Sequence, residues 1–310
     1  MVCQVIAMNI HVELENENKC PILSHYTKLE KALEILRSGK LVLRCNSFRF
    51  MNDPRECKAW RFNTTKNTKN DILCIENEFA NKVKKNISAI SFAMDHPNVY
   101  YKPDLRADYY YGYYRPRMWA QYAERHQGVC LVFDKEKLLK CFENSLSAKG
   151  DLYYGEVDYF DGDSIPQHLS GEIQDDVTNL LVQKNFDELE NLIFSREHMR
   201  AYFFRKHGDW RDEAEYRILF KRKNLDQEEF KIDCRNALHD VIIGYACPNF
   251  DYPKEYNLTD EERKERINRQ NMYEKLMSLK QDFPHIQKVR WSNGYPGQDF
   301  FFEVKYNQTK

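Results

Sequence analysis

Apolar residues recur at helical spacing over 28–38, where Leu29, Ala32, Leu33 and Leu36 fall on one face ahead of Gly39. Thr27 and Glu30, three apart in front of that run, predict a capping box, and they put His25 and Tyr26 where a strand feeds a helix. The run 40–45 alternates and predicts a strand, while Asp53, Pro54 and Glu56 predict a capped turn opening a short helix. Two apolar stretches of strand length follow at 87–94 and 128–134. Between them, 118–126 predicts a helix with Trp119, Tyr122, Ala123 and His126 on one face. Segments 135–146 and 172–206 are helical by period, and further strands are predicted at 153–159, 215–221, 241–245 and 300–306. Thr259 and Glu262 form another capping box, opening a helix over 260–282 whose charged faces predict a solvated appendage.

Helices grouped between strands, rather than strictly alternating with them, predict an α+β fold: a mixed or antiparallel sheet with flanking helices. Neither a G-x-G-x-x-G nor a Walker A motif occurs, so the common nucleotide folds are poor fits. With no repeat and no low-complexity linker, residues 1–310 read as one domain. It carries a Tyr-rich insertion at about 99–117, a helical insertion at about 172–206 and the polar helical appendage at about 258–283.

Composition narrows the function classes. Lys plus Arg total 47 and Asp plus Glu 48, a formal charge of −1, which argues against a protein living on bulk nucleic-acid electrostatics. Nine cysteines, an odd number with no C-x-x-C pair, predict reduced thiols and a cytoplasmic setting. The expectation is the same for the membrane, since no stretch has the length and apolarity of a span or of a secretory leader. No Asp, Glu, His or Cys set stands at metal-ligand spacing, so no metal is expected.

Candidate chemistry concentrates in 209–220, DWRDEAEYRILF. Period-two alternation puts Glu215, Arg217 and Leu219 on one strand face, with Glu213 joining them if the strand has begun. One explanation is a cross-strand salt bridge on an exposed edge. The other is a carboxylate placed to stabilise a developing cation, as glycosyl transfer through an oxocarbenium-like centre requires. His25, at a strand end before a helix N-terminus, reads either as a structural hydrogen-bonder or as a ligand contact. Tyr26, Thr27 and Ser91 have packing and capping roles available, as do Trp119 and Tyr122, which could instead stack on a ring. Tyrosines interleaved with Arg106, Arg115 and Arg117 over 99–117 form a basic-aromatic patch suited to a nucleotide, a single strand or a protein partner.

HYT (25–27), SGKLVL (38–43), FMNDPRE (50–56), ISFAMD (90–95), MWAQYAERHQGVCLVFD (118–134) and W-x-x-E-x-E-Y-R (210–217) together resemble the prokaryotic domain-of-unknown-function family 2971 over about 22–245. His near the first strand and a late Glu-x-Glu are also similar to ADP-ribosyltransferase folds, with Ser91 alone standing where many of those carry Ser-Thr-Ser. That resemblance implies a split sheet and NAD as substrate, with ADP-ribose passed to a macromolecular acceptor or to water. It implies Glu215 at the ribose hydroxyl and the oxocarbenium, Glu213 at the acceptor, His25 at the adenosine-side ribose and Tyr122 or Trp119 against the nicotinamide. Tyr26, Thr27, Ser91 and Arg217 complete the implied NAD-binding set. Phage defence or a toxin system is a natural setting for such chemistry. The competing expectation is a non-enzymatic module that uses the Tyr/Arg patch to bind protein or nucleic acid.

Overall fold

A computed structural model describes residues 11–13, 21–57, 71–96, 111–161, 177, 179–248, 259–283, 285–289, 291–292 and 295–296. In chain order the elements that matter here are β1 (His11–Glu13), β2 (Ile22–Thr27), α1 (Leu29–Ser38), β3 (Lys40–Arg44), α2 (Pro54–Cys57), α3 (Asp71–Lys85) and β4 (Ile87–Met94). Then come α4 (Pro116–Tyr122), β5 (Val129–Asp134), α5 (Lys135–Leu146), β6 (Gly150–Glu156), β7 (Asp158–Phe160), α6 (Phe186–Ile193), α7 (Arg196–Phe203) and β8 (Arg205–His207). The chain continues through β9 (Glu215–Arg222), β10 (Glu229–Asp233), β11 (Leu238–Ile243), α8 (Asp260–Ser278) and β12 (Ile286–Lys288).

Eight strands form the main sheet in the order β1-β6-β9-β4-β2-β5-β11-β12. The two outermost pairings are parallel and the five inner ones antiparallel, so the fold is α+β with a mixed, mostly antiparallel sheet. Strands β4 and β9 pair over seven residues, whereas β2 meets β4 only at Leu23–Met94 and Ser24–Ala93. Beyond Ser24 the edge of β2 is free of the β4 ladder, and His25 Nδ1 meets the Ser91 carbonyl at 3.0 Å instead.

One face of the sheet is covered by α1, α5 and the C-terminal part of α8, burying Leu33, Phe92, Leu131, Phe142, Tyr216, Ile218 and Leu276. The opposite face has two separate apolar patches. Around β6 and β9, Leu219 and Tyr153 pack with Phe79, Leu189 and Phe203 from α3, α6 and α7. Around β2 and β5, Tyr26, Ala93, Cys130 and Val132 pack with Trp119 from α4.

The capping box predicted at Thr27 is not formed. Lys28 is the N-cap of α1 and its side chain caps nothing; the Glu124 carboxylate, 95 positions along the chain, accepts from the Leu29 N–H at 3.2 Å. A tertiary carboxylate does there what a local hydroxyl was expected to do. The box at Thr259 and Glu262 does form. Its helix is more than an appendage, because Tyr273, Leu276 and Met277 are buried against the core that α1 shares. The helical reading of 172–206 holds for α6 and α7 but ends in the strand β8. The helix predicted over 118–126 stops at Tyr122, after which Glu124, Arg125 and His126 all take positive φ. The strand predicted at 300–306 and most of the Tyr-rich insertion, 97–110, lie outside the described residues.

Candidate functional site

A buried charge cluster fills the seam between the two apolar patches. By alternation β9 turns Tyr216, Ile218 and Phe220 to the α1 side and Glu215, Arg217 and Leu219 to the other. Glu215 and Arg217 therefore stand between Leu219 of one patch and Ala93 of the next, opposite Ser91 and Ala93 on β4. Strand β9 is interior to the sheet, flanked by β6 and β4, which excludes the exposed-edge salt bridge.

Five ionic side chains converge at this seam, each no more than 5 % exposed: Glu56, Lys206, Glu213, Glu215 and Arg217. The Lys206 ammonium lies 2.7 Å from both Glu213 Oε2 and Glu215 Oε2, and 3.6 Å from Glu56 Oε2. Arg217 donates from Nε to Glu215 Oε1 at 2.7 Å and from Nη2 to Glu215 Oε2 at 3.0 Å. Its Nη1 donates to the Phe203 carbonyl and lies 2.5 Å from Glu56 Oε1. Ser91 Oγ donates to Glu215 Oε1 at 2.5 Å, and the Tyr159 hydroxyl accepts from the Glu215 N–H at 2.9 Å.

Two carboxylates of this cluster are thus placed differently. Burial alone would push Glu215 upward, but Arg217 and Lys206 outweigh it and hold the carboxyl well below the usual carboxylate range. In Glu56 burial prevails over the same two cations and the pKa rises, even with Arg217 Nη1 2.5 Å from Oε1. Both cations are held firmly charged by the carboxylates around them, against the opposing effect of burial.

Glu213 belongs to a 3₁₀ turn, Gly208–Glu213, and not to the strand. Ala214 follows at φ 40°, in the left-handed region that a residue with a side chain seldom occupies, and this kink brings Glu213 and Glu215 onto one ammonium. Arg115 and Arg117 hold the turn by donating to the carbonyls of Asp212 at 2.9 Å and Asp209 at 2.5 Å. The outer oxygen of Glu213 accepts from the Tyr122 hydroxyl at 2.6 Å, and that hydroxyl accepts from Asn52 Nδ2 at 3.0 Å. Tyr122 is half-buried and Asn52 exposed, so Asn52, Tyr122 and Glu213 form a polar ladder from the surface to the cluster. Burial and the Glu213 charge push the Tyr122 phenol up, keeping it protonated as a donor.

Of the residues singled out in the sequence, Glu213, Glu215, Arg217, Ser91 and Tyr122 come together at this seam. His25 does not share their face. It stands on the side of Leu23 with its ring 5.5 Å from Phe92, and it touches the seam only through the Ser91 carbonyl. Burial lowers its pKa, so the ring is held neutral. Tyr26 donates to the Gly112 carbonyl at 2.7 Å and packs edge-on against Trp119. Trp119 is fully buried, with Nε1 on the Tyr113 carbonyl at 2.8 Å, which leaves both rings in the core. Thr27 lies at the end of β2 and is half-buried.

Lys206, Glu56 and Tyr159 were not singled out as site residues. Glu56 had a sufficient local explanation, as the acidic third residue of α2, and Lys206 lies in a three-residue strand that period alone does not reveal. Among the described residues no group of three or more His, Cys, Asp or Glu is arranged to hold a metal ion. Nor is any helix among them long and apolar enough to cross a membrane. The seven described cysteines are all unpaired, while Cys3 and Cys20 lie outside the described residues.

No curated protein and no solved structure matches the chain. One family does. The matched stretch is narrower than the motifs at 25–27, 50–56 and 90–95 suggested, but it runs from Met118 to Ile218 and holds Tyr122, Lys206, Glu213, Glu215 and Arg217. Residues 118–218, about a third of the chain, match the family described as Protein of unknown function (DUF2971).

Proposed function

We propose that the protein cleaves the nicotinamide–ribose bond of NAD and passes ADP-ribose to a macromolecular acceptor or to water. The observation that carries this reading is the charge imbalance of the seam. Within ion-pair distance the carboxylates of Glu56, Glu213 and Glu215 meet Lys206 and Arg217, three against two in a nearly dry setting, while the buried Lys84 ammonium reaches the Glu56 main-chain carbonyl, at 2.7 Å, and not its carboxylate. A buried excess of negative charge is costly unless a proton or a cation balances it. NAD carries a cationic pyridinium, and breaking its glycosidic bond develops positive charge on the ribose, so substrate and transition state both supply that balance.

The roles follow from position. Glu213, last on the ladder from Asn52 and Tyr122, is the carboxylate that faces the ribose, and the Tyr122 phenol orients it. Glu215, gripped by Arg217, Lys206 and Ser91, positions Lys206 and adds to the negative potential without touching substrate. His25 fixes the Ser91 main chain where β2 leaves β4. That early parting of β2 and β4 is compatible with the split sheet of ADP-ribosyltransferase folds. A defence or toxin role would suit the activity.

A second reading rests on Glu215 itself. Both of its oxygens are already taken by donors, as are both of Glu213's, by Tyr122 and Lys206; this is expected of carboxylates that lock a fold and favours a binding module in which the cluster is structural. Incubating the protein with NAD, with and without a cell extract as acceptor source, and measuring free nicotinamide separates the two. Release above the buffer control supports cleavage, and its absence in both mixtures leaves the binding module.

A further inference from the structure

A second site lies apart from the seam and shares no residue with it. A cavity of about 550 Å³ opens between the C-terminal end of α1, the start of β11 and the 3₁₀ turn after α8. That is the size range of pockets that enclose small organic ligands. Its floor is apolar, from Leu36 and Val241, both almost fully buried. Its rim carries two guanidinium groups, Arg37 and Arg235, and among the described residues neither is paired with a carboxylate.

We infer that this cavity binds a phosphomonoester with a planar ring, of the size and chemistry of a nucleoside monophosphate. Two guanidiniums lining one cavity suit the oxygens of a phosphate, which Arg can engage through paired N–H donors. Arg235 is placed rather than loose. Its guanidinium lies against Gly39, the left-handed C-cap of α1 at φ 70°, so closely that a Cβ there would collide with Nε and Nη2. Two imidazoles, His239 and His285, also line it, with centroids 6.5 Å apart and planes 21° from parallel, and a flat ring is a suitable neighbour for such side chains. Two carboxylates, Asp240 and Asp282, share the lining with the guanidiniums. Asp240 is engaged by His239 at 2.5 Å, which leaves Asp282 as an acceptor for a sugar hydroxyl.

Titration calorimetry on the full chain with AMP, adenosine and inorganic phosphate tests this. AMP should bind with Kd below about 1 mM, and adenosine and phosphate each at least about tenfold more weakly, since each lacks half of the recognised chemistry. The double variant Arg37→Gln/Arg235→Gln, at exposed positions and checked for folding by circular dichroism, should weaken AMP at least about tenfold. Glu213→Gln should leave AMP binding unchanged, which separates this site from the seam whatever the fate of the NAD reading. Absence of AMP binding, phosphate binding as tight as AMP, or a double variant that binds AMP within tenfold of wild type would each overturn the inference.

Discussion

Strand β9 presents two buried faces with opposite chemistry. Tyr216, Ile218 and Phe220 lie in a continuous apolar core under α1 and α5, while Glu215 and Arg217, equally inaccessible, are held by Lys206, Glu56, Glu213 and Ser91. The first face is stabilised by area removed from water and tolerates small errors of shape. The second is stable only while each charge keeps its partners, because a charge left alone in the interior costs several kcal/mol. A fold needs the first kind of face. The second, with one carboxylate in excess, is arranged for something more than packing.

The two faces should therefore respond differently to single substitutions. Arg217→Met removes the partner of Glu215 and leaves three carboxylates around Lys206, so it should cost about 3–5 kcal/mol in urea unfolding, provided the variant folds at all. Ile218→Val, one residue along on the other face, should cost only about 1 kcal/mol. A loss for Arg217→Met no larger than for Ile218→Val would remove the distinction between the faces.

Acid should act on the charged face alone. The pKa of Glu215 is lower in the folded protein than its ordinary value of 4.5, so its contribution is fully present above about that pH and is lost as the pH falls toward the folded value. Glu56 is shifted the other way and favours folding as it takes up a proton, which partly offsets that loss. Glu215→Gln should accordingly flatten the acid limb of a stability-versus-pH curve, an outcome read by thermal melts between pH 3 and 7.

The smallest effect is expected at Glu56. Glu56→Gln removes the surplus carboxylate and makes the cluster two against two, so stability at neutral pH should change by less than about 1 kcal/mol in either direction. A loss as large as that of Arg217→Met would show that Glu56 is an indispensable partner and that the seam holds no surplus charge.

Long apolar runs made much of the frame legible. The stretches read as strands at 87–94 and 128–134 and as a helix at 135–146 are β4, β5 and α5, since a continuous or periodic run fixes both type and length. Helix α3 escaped because its buried residues Phe79, Ala80 and Val83 sit among charged ones after a polar stretch. The cap of α1 was misread for a different reason: its acceptor comes from Glu124, and nothing local announces a tertiary partner. The seam was half legible. Alternation placed Glu215 and Arg217 on one face, but the convergence of Lys206, Glu56 and Glu213 depends on β8, α2 and a kinked turn that meet only in three dimensions.

Glu213 is where the two accounts of the seam part most sharply, because it carries the outer end of the cluster and its other oxygen is held by Lys206. The decisive measurement is the rate of nicotinamide release from NAD by wild type and by Glu213→Gln at neutral pH, with melting temperatures recorded alongside. If the seam stabilises a cationic transition state, wild type releases nicotinamide and the variant is slower by about a hundredfold, roughly 3 kcal/mol of barrier, while remaining folded. Equal rates in the two folded proteins, or no release by wild type, would contradict the account.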